Sequence, residues 1–483
     1  MRFQNAHRAA LAGPTRPLAV PDQYFTQTLD HFDVTSTDTW QQRFWVNSTL
    51  WKGGDAPVFF YIEGEGAGSG NSVVSGEHVE LAAIYGALLV SLEHRGYGAS
   101  IPTADLSTPN MRYISSHQAL ADIANFYDAY LAPTFSLTTA NKLMTFGGSY
   151  PGALSAWARL RLPHIVHGAI SSSSPVEASF DDQSYNDVVA ASLSYPLVGG
   201  SPACLQATRD AFAAMDAAFL AGGATRAAMA AKLSSCTDLS AGVNDTMWAA
   251  SNYGSFIQGT VQYNLEAGGA TIESYCAALT APGAVPIDAF AAVIAASQGG
   301  TCIDNSYADY LQQLRDTSVN KGAGGVGLRS WTWQCCTQFS YWQDCDSSSQ
   351  CPLSRAFMTL DSNTQQCADA FGEGVGNLAS NVARTRFTNA YTGGSNIQSS
   401  NIIFVNGNVD PWHALSVTDT QGSRNGPAVT AVLINGTAHC SEWGGAARRG
   451  GGLGLWPNTL LSFTHTHLTH TLARREYVLF QGH

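Results

Sequence analysis

The sequence of 483 residues contains little charge and no long apolar stretch. Only 12% of the residues are charged and 45% are hydrophobic, which excludes an intrinsically disordered chain. The length predicts roughly two or three domains, or one large domain that carries an insertion. Lysine and arginine are scarce, at 24 against 36 acidic residues, and the formal charge of −12 excludes nucleic acid as a partner. Because no run of about 18 apolar residues occurs, we expect a soluble protein that does not enter a membrane.

The sequence also lacks a recognisable signal peptide. Residues 1–20 contain no continuous apolar segment, so we expect that a signal sequence has either been removed or been left out. The residues Val478-Leu479-Phe480-Gln481-Gly482 look like the remnant of an engineered protease site. We therefore treat 478–483 as an appended tail that takes no part in the fold.

Cysteine, in contrast, is abundant. Ten cysteines and three Asn-x-Ser/Thr sequons, at Asn47, Asn244 and Asn435, predict an oxidising route and a secreted or lysosomal protein. Nine of the cysteines lie between residues 204 and 367, and only Cys440 lies outside this segment. Cysteine usage therefore divides the chain into two kinds of region.

Strand-like and helix-like patterns alternate at both ends of the chain. The strand-like runs lie at 57–62, 87–92, 142–146, 168–170, 401–405 and 431–434, and helical segments lie at 76–86, 115–131 and 151–162. Runs this apolar are typical of strands that are buried on both faces of a parallel sheet. Residues 177–395 are instead rich in alanine and cysteine. We predict an α/β domain in two parts, 1–176 and 396–477, with a mainly helical, disulfide-stapled cap inserted at 177–395.

One glycine-rich segment has the form of a nucleophile turn. Gly147, Ser149 and Gly152 follow a strand-like run and precede a helical segment, as in the Gly-x-Ser-x-Gly elbow of α/β-hydrolases. The second glycine lies one position later than in that motif, and Pro151 takes its place. An ordinary glycine-rich turn is the alternative, so a nucleophilic Ser149 requires partners elsewhere in the chain.

Two later loops supply those partners. In α/β-hydrolases the acid and the histidine come after later strands, in the order serine, acid, histidine. Asp410 follows the run 401–405, and His439 follows the run 431–434. In open α/β sheets, ligand sites form at the carboxyl ends of the strands, where all three residues fall. We therefore predict a catalytic triad of Ser149, Asp410 and His439 on an α/β-hydrolase sheet. The alternatives are a turn residue before a proline for Asp410 and a structural loop histidine for His439.

This triad predicts acyl transfer. Ser149 would attack a carbonyl and His439 would move the proton, with the acid orienting the imidazole. The N–H of Tyr150, directly after the nucleophile, is the natural first oxyanion donor. We expect the second donor in the early glycine-rich loop, at either Gly64 or Glu65.

Several segments together resemble a family of lysosomal and secreted serine peptidases that includes prolyl carboxypeptidase, dipeptidyl peptidase II and thymus-specific serine protease. The resemblance covers most of the chain. Besides the segments around Ser149, Asp410 and His439, it rests on residues 27–32, 40–44, 93–98 and 334–337. It implies an α/β-hydrolase domain with a helical cap inserted before the strand that carries the acid, and cleavage after proline.

The same resemblance implies a pocket for the proline ring. The family uses tryptophans at positions that match Trp412, two residues after the acid, and Trp443, four residues after the histidine. Flat apolar walls suit a pyrrolidine ring, and core packing beneath the loops is the alternative. Gln338 stands where we would expect a glutamate, and we take this position as a substrate-binding residue for a charged end of the peptide.

Other polar residues have two interpretations each. Glu63 and Glu65 flank the oxyanion loop and are candidates for binding a substrate amine, with a structural turn as the alternative. His465, His467 and His470 lack the carboxylates or cysteines that would complete a metal site, and a solvated helix face explains them better. We therefore predict no metal and no cofactor.

The cysteine count predicts one unusual bridge. Nine cysteines in the insertion cannot all pair with one another, and the neighbours Cys335 and Cys336 are poor partners because a vicinal bridge is strained. Cys335 also looks like an addition beside the cysteine that the resembled family has at Cys336. We predict that Cys335 bridges Cys440 and ties the cap to the histidine loop; an unpaired cysteine at each position is the alternative.

Together these observations predict a proline-selective serine peptidase, secreted or lysosomal, whose partners are proline-containing peptides. The resemblance implies a mildly acidic working pH, which the acidic charge balance permits. The alternatives are a carboxylesterase or lipase on the same fold and a catalytically silent binding protein of hydrolase shape. The sequence leaves a homodimer open, and also amino-end, carboxyl-end or internal cleavage.

Overall fold

An eight-stranded sheet forms the centre of the protein in a computed structural model that describes residues 20–240, 242–266, 269–319, 325–345, 348–418 and 428–441. The strands are β1 (Gln23–Thr28), β2 (Thr39–Asn47), β3 (Val58–Ile62), β4 (Leu88–Leu92), β5 (Leu143–Gly148), β6 (Val166–Ser172), β7 (Ser400–Gly407) and β8 (Ala428–Ile434). They lie side by side in the order β1-β2-β4-β3-β5-β6-β7-β8.

Only one of these strands runs against the others. β2 pairs antiparallel with β1 and with β4, and every other neighbouring pair is parallel. All residues of β4 and β6 are buried, as expected where helices cover both faces of a sheet. The six predicted strands are confirmed as β3 to β8, and the fold is that of an α/β-hydrolase.

The sequence analysis did not identify β1 and β2 as strands. In β2, exposed and buried residues alternate over its first four positions, and the exposed ones are Thr39 and Gln41. β2 pairs with both β1 and β4, so it is not the edge strand, but this alternation means that one of its faces is partly solvated. It therefore lacks the continuous apolar run that marks the central strands.

Five helices accompany the sheet before the insertion. They are α1 (Glu77–Tyr85), α2 (Thr108–Met111), α3 (Ser116–Phe126), α4 (Ala132–Phe135) and α5 (Tyr150–Arg161). Every residue of α5 from Tyr150 to Arg159 is buried. This helix packs on the sheet on one side and on aromatic residues of the insertion on the other, where Phe339 lies 5.2 Å from the Tyr150 ring and 6.0 Å from the Trp157 ring. The helix that carries the nucleophile turn is thus enclosed by both parts of the protein.

The insertion is helical, as predicted. Its helices are α6 (Ser184–Leu193), α7 (Pro202–Ala221), α8 (Gly223–Lys232), α9 (Val243–Gln262), α10 (Ile272–Leu279), α11 (Pro286–Ser297), α12 (Tyr307–Arg315), α13 (Gly325–Gln334), α14 (Leu360–Phe371), α15 (Glu373–Gly376) and α16 (Leu378–Thr392). The predicted insertion limits, 177 and 395, fall between β6 and α6 and between α16 and β7. Within the described ranges, no helix combines the length and the apolar character that crossing a bilayer requires.

The core of the insertion extends to the two loops that carry the predicted acid and histidine. Phe212, Ile257 and Tyr275 belong to one buried cluster of the insertion, and Val409 and Ala438 belong to the same cluster. These last two residues directly precede Asp410 and His439. The insertion therefore fixes the positions of both loops through apolar packing.

Four disulfides join residues of the insertion. The pairs are Cys204–Cys276, Cys236–Cys302, Cys336–Cys367 and Cys345–Cys351. The predicted bridge between Cys335 and Cys440 is wrong, because neither of these two cysteines takes part in a disulfide. Residues 335–339 form a π-helical turn in which Cys336 reaches Cys367 on α14, whereas Cys335 turns toward the cleft described below. The odd cysteine of the insertion thus stays unpaired.

Candidate active site

Ser149 lies on a sharp turn between β5 and α5. Its φ of 64° lies in a region that non-glycine residues rarely adopt, and its N–H donates to the carbonyl oxygen of Ser172 at 2.9 Å. A Cβ on Gly147 would lie 2.1 Å from the carbonyl oxygen of Pro151. A Cβ on Gly152 would lie 2.7 Å from the carbonyl oxygen of Ser172. The glycine that stands one position late in the motif is therefore required, because the first turn of α5 passes the end of β6 there.

Asp410 and His439 form a buried pair. Asp410 follows β7 and begins the 3-10 turn Pro411–Leu415, where its Oδ1 accepts the N–H of Trp412 at 3.0 Å. Its Oδ2 lies 2.9 Å from Nδ1 of His439, a close ion pair rather than an aligned hydrogen bond. The two side chains are 0% and 4% exposed, so solvent screens their attraction very little. The pairing leaves Nε2 of His439 as the ring nitrogen available to a serine hydroxyl.

The surroundings of His439 favour its protonated form. Burial lowers the pKa of the imidazole, but the Asp410 carboxylate and the neighbouring Cys440 outweigh burial and hold the pKa well above its ordinary value of 6.5. Two main-chain bonds fix the loop: the N–H of His439 donates to the carbonyl oxygen of Gln262 at 2.9 Å, and the N–H of Cys440 donates to Ser173 Oγ at 2.9 Å. A general base must be neutral, so proton transfer to this imidazole requires a pH near or above the raised pKa.

The predicted oxyanion donors lie on neighbouring segments. The N–H of Tyr150 is the first of α5, where helices leave their N–H groups without an internal acceptor. Among the described residues, none accepts a hydrogen bond from the N–H of Tyr150 or of Gly64. A Cβ on Gly64 would lie 2.2 Å from Cγ of Pro151, so the loop that holds Gly64 and Glu65 packs directly on the first turn of α5. This loop can therefore supply the second donor beside Ser149.

A cleft of about 620 Å³ opens between the sheet and the insertion. Ser149, Tyr150 and Trp412 line it from the hydrolase domain, and Tyr185 and Tyr341 line it from the insertion. The Trp412 ring packs edge-on against these two tyrosines, with centroid distances of 5.0 Å to Tyr185 and 5.3 Å to Tyr341. The candidate nucleophile therefore opens into a cleft that has an aromatic wall.

Comparison with known proteins identifies the family. The sequence profile of the serine carboxypeptidase S28 family matches residues 27–450. The chain belongs to the serine carboxypeptidase S28 family. The thymus-specific serine protease of Homo sapiens is 36% identical over 428 residues, which cover 87% of this chain and 81% of that protein. The lysosomal Pro-X carboxypeptidase of Bos taurus is 26% identical over 449 residues, which cover 88% of this chain and 83% of that protein.

Membership of the S28 family makes the protein a serine peptidase. This confirms the resemblance drawn from the sequence segments and the enzyme class that followed from it. Among solved structures, the proline iminopeptidase of Mycobacterium smegmatis overlaps with a TM-score of 0.35 and 11% identity, over 93% of this chain and 99% of that chain. An overlap this low adds nothing to the family assignment.

Two residues that were predicted to bind substrate lie outside the cleft of this S28 peptidase. Glu63 is 3% exposed and accepts a hydrogen bond from Ser91 Oγ at 3.0 Å. Gln338 is 6% exposed; its Oε1 accepts the N–H of Ser116 at 3.0 Å, and its Nε2 donates to Ser116 Oγ at 3.0 Å. Gln338 thus ties the insertion to the start of α3. Neither side chain lines the cleft and each makes a buried contact, so the structure does not bring these two predicted residues to the site.

Glu65, in contrast, lines the cleft together with Ser149. The other acidic side chain of the lining is Asp304, and no Lys, Arg or His side chain of the described residues contributes to it. Trp443 lies outside the described residues, and so do the three histidines His465, His467 and His470. In the described part of the chain, no three His, Cys, Asp or Glu side chains are grouped so as to hold a metal ion.

Sequence analysis missed two residues that the insertion brings to the site. Tyr185 on α6 lines the cleft beside Trp412, and Gln262 at the end of α9 contacts both of them. No motif marks either residue, because each is one position on an ordinary amphipathic helix. Only the docking of α6 and α9 against the loop of Asp410 brings them together.

Proposed function

We propose that this serine peptidase cleaves peptide bonds on the carboxyl side of proline and forms an acyl-enzyme on Ser149. The proposal rests on one arrangement: the buried pair of Asp410 and His439 accompanies a cleft that Ser149 and an aromatic wall share. The pair supplies the base that a serine nucleophile needs, and the wall supplies a surface on which an apolar ring can pack.

The proposed reaction begins with proton transfer. Nε2 of His439 takes the proton of Ser149 as Oγ attacks the carbonyl carbon of the proline residue. The N–H groups of Tyr150 and of Gly64 or Glu65 stabilise the oxyanion that forms. The imidazolium then protonates the leaving nitrogen, the C–N bond breaks and the acyl-enzyme remains. The neutral imidazole then takes a proton from a water molecule, whose oxygen attacks the ester carbonyl. As the bond to Ser149 breaks, the imidazolium gives this proton to the serine oxygen and the carboxylic acid product is released.

The acid acts through the histidine in this scheme. Asp410 pairs with Nδ1 of His439, which leaves Nε2 for the serine, and its charge would stabilise the imidazolium that forms during each proton transfer. The raised pKa of His439 has the same origin. Strong stabilisation of the imidazolium favours proton transfer from the serine, and it also raises the pH that the free enzyme needs.

The preference for proline would come from the aromatic wall. A pyrrolidine ring presents flat apolar faces and has no N–H that would require an acceptor. Trp412, Tyr185 and Tyr341 offer such faces beside Ser149. The Bos taurus relative is named a Pro-X carboxypeptidase, which supports the same preference here.

We also propose that the protein is secreted or lysosomal and that its partners are proline-containing peptides. Four disulfides form readily only in an oxidising compartment. The sequon residues Asn244 and Asn435 are exposed, which suits glycosylation. The Bos taurus relative carries the word lysosomal in its name.

Fluorophosphonate labelling combined with a pair of matched substrates tests the proposed activity. The wild-type protein should be labelled covalently at Ser149, as located by peptide mass spectrometry. It should also cleave the aminocoumarin amide of Ala-Pro faster than that of Ala-Ala. Labelling without any preference for proline would remove the proposed specificity, and absence of labelling would remove the acyl-enzyme.

A further inference from the structure

Gln262 connects the insertion to both loops of the predicted triad. It is the last residue of α9, and its carbonyl oxygen accepts the N–H of His439 at 2.9 Å. Its side-chain Oε1 accepts the hydroxyl of Tyr185 at 2.6 Å and the indole N–H of Trp412 at 3.2 Å. Gln262 is 8% exposed and lines the cleft. Its carboxamide therefore lies at the wall that we propose for the proline ring.

The indole contact assigns the orientation of this carboxamide. An indole N–H can only donate, so the Gln262 atom that it meets must be the oxygen. The bond from Tyr185 engages the same oxygen, so Nε2 must point the other way. Among the described residues, none accepts a hydrogen bond from Nε2. The residue lines the cleft, so we take this nitrogen as a fixed donor that is available to a molecule bound there.

Proline chemistry indicates what such a donor would meet. A proline residue has no N–H, so an enzyme cannot hold it through that group. Its nitrogen instead carries the carbonyl group of the preceding residue, and this carbonyl oxygen is an acceptor next to the ring. A donor beside the ring-binding wall suits that oxygen.

We infer that Nε2 of Gln262 donates a hydrogen bond to the carbonyl oxygen of the residue that precedes the proline in the substrate. The inference rests on the proposed function. Gln262 becomes a substrate-binding residue that selects peptides in which the proline nitrogen is acylated. A chain that begins with proline lacks this carbonyl and is a poorer substrate.

A donor-to-acceptor substitution separates this role from support of the wall. Gln262→Glu keeps an oxygen for Tyr185 and Trp412 and removes the N–H. The probes are the aminocoumarin amide of Ala-Pro, which has the carbonyl, and p-nitrophenyl acetate, which has no peptide carbonyl. We expect the ratio of peptide to ester kcat/KM to fall about tenfold in this variant, since one hydrogen bond is lost and the acceptor faces a carboxylate. The loss should fall mainly on KM, because the bond exists in the bound substrate and in the transition state alike.

Gln312→Glu is the matched control, because Gln312 is exposed on α12 and does not line the cleft. It makes the same chemical change and should leave the ratio as in the wild type. His439 serves both reactions, so a displaced histidine loop or an altered imidazole pKa in Gln262→Glu would lower both rates equally. An unchanged ratio of peptide to ester kcat/KM, whether both rates fall equally or neither falls, would overturn the inference.

A change in the substrate provides the second measurement and needs no variant. Replacing the carbonyl oxygen of the alanine in Ala-Pro aminocoumarin with sulfur keeps the ring and weakens the acceptor. The wild-type enzyme should lose about tenfold in kcat/KM on this thioamide, and Gln262→Glu should lose much less. Equal losses in the two enzymes would contradict the inference and leave the proposed function standing. A wild-type enzyme that hydrolyses the ester and no proline peptide would instead refute the proposed function and this inference with it.

Discussion

The sheet domain and the insertion are stabilised in different ways. Among the described residues, all four disulfides lie in the insertion and none lies in the sheet domain. The sheet is stabilised instead by strands such as β4 and β6, whose every residue is buried. The insertion packs alanine-rich helices, which bury less apolar surface per residue, and covalent links compensate for this.

The two regions also divide the proposed chemistry. Ser149, Asp410 and His439 lie at the carboxyl ends of β5, β7 and β8, so the sheet domain supplies the reacting groups. Tyr185 and Gln262 come from the insertion and line the cleft. This difference indicates that removing a reacting group of the sheet domain should abolish the reaction, whereas changes in the insertion should alter stability and substrate choice.

The largest expected effect follows from Ser149→Ala. Removal of the nucleophile should lower kcat/KM on the order of 10⁴-fold or more, measured with a fluorogenic proline substrate. The thermal unfolding midpoint should stay near that of the wild type, because the side chain lies on a turn at the cleft. Activity within about tenfold of the wild type would contradict the proposed role of Ser149.

Removal of a disulfide from the insertion should mainly affect stability. The double variant Cys204→Ser/Cys276→Ser unlinks α7 from α10 and should lower the free energy of unfolding by about 2–4 kcal/mol, measured in urea. Cys335→Ala is the control, since it removes a free thiol and should have a smaller effect. Alkylation of the denatured, unreduced wild type should modify Cys335 and Cys440. A disulfide-linked peptide containing either residue would contradict the pairing described here.

Substitution of Trp412 tests whether the aromatic wall determines the preference for proline. In Trp412→Ala, kcat/KM should fall about 10 to 200 times further for the Ala-Pro aminocoumarin amide than for the Ala-Ala analogue, since the ring loses its packing partner. The Ala-Ala analogue is the internal control for any displacement of Asp410. Equal losses on the two substrates in a folded variant would show that Trp412 supports the acid loop and that the wall does not select proline.

A pair of glycine substitutions compares the two regions directly. Gly152→Ala should destabilise the protein by about 1–3 kcal/mol, because the added Cβ would lie 2.7 Å from the carbonyl oxygen of Ser172. Gly374→Ala, in helix α15 of the insertion, has nothing within 4 Å of the added Cβ and should leave stability unchanged or slightly raised. Chemical denaturation measures both. Equal effects would mean that the turn at Ser149 is not sterically closed.

The pH dependence of the reaction tests the electrostatics of the pair Asp410 and His439. The pKa of His439 is held above 6.5, so the neutral base disappears as the pH falls through this higher value. The kcat/KM of the free enzyme should then fall about tenfold per pH unit below that pKa, beginning above pH 6.5. This direction opposes the mildly acidic working pH expected from the family resemblance. A pH profile with its acid limb below pH 6.5 would favour a lysosomal enzyme and would show that Asp410 does not raise the pKa in solution.

The cysteines show where sequence reasoning reached its limit. The count correctly indicated that one cysteine of the insertion would be left over. The family resemblance pointed to Cys335 as that residue, but the sequence could not show that Cys335 forms no disulfide with Cys440, because pairing depends on which side chains meet in space. Gln338 is a similar case: its place after a cysteine and a threonine suggested a substrate contact, whereas the π-helical turn directs it to Ser116.

Local sequence patterns were enough to predict the six parallel strands and the location of Ser149, Asp410 and His439 at their carboxyl ends. Both are local properties, since a buried parallel strand is an unbroken apolar run and the loop that follows it lies at the same edge of the sheet. The residues of the insertion that face the cleft could be found only from the packing of its helices. An amphipathic helix specifies its buried side but not the element it packs against, so the contacts of Gln262 with Trp412 and His439 depended on how α9 docks.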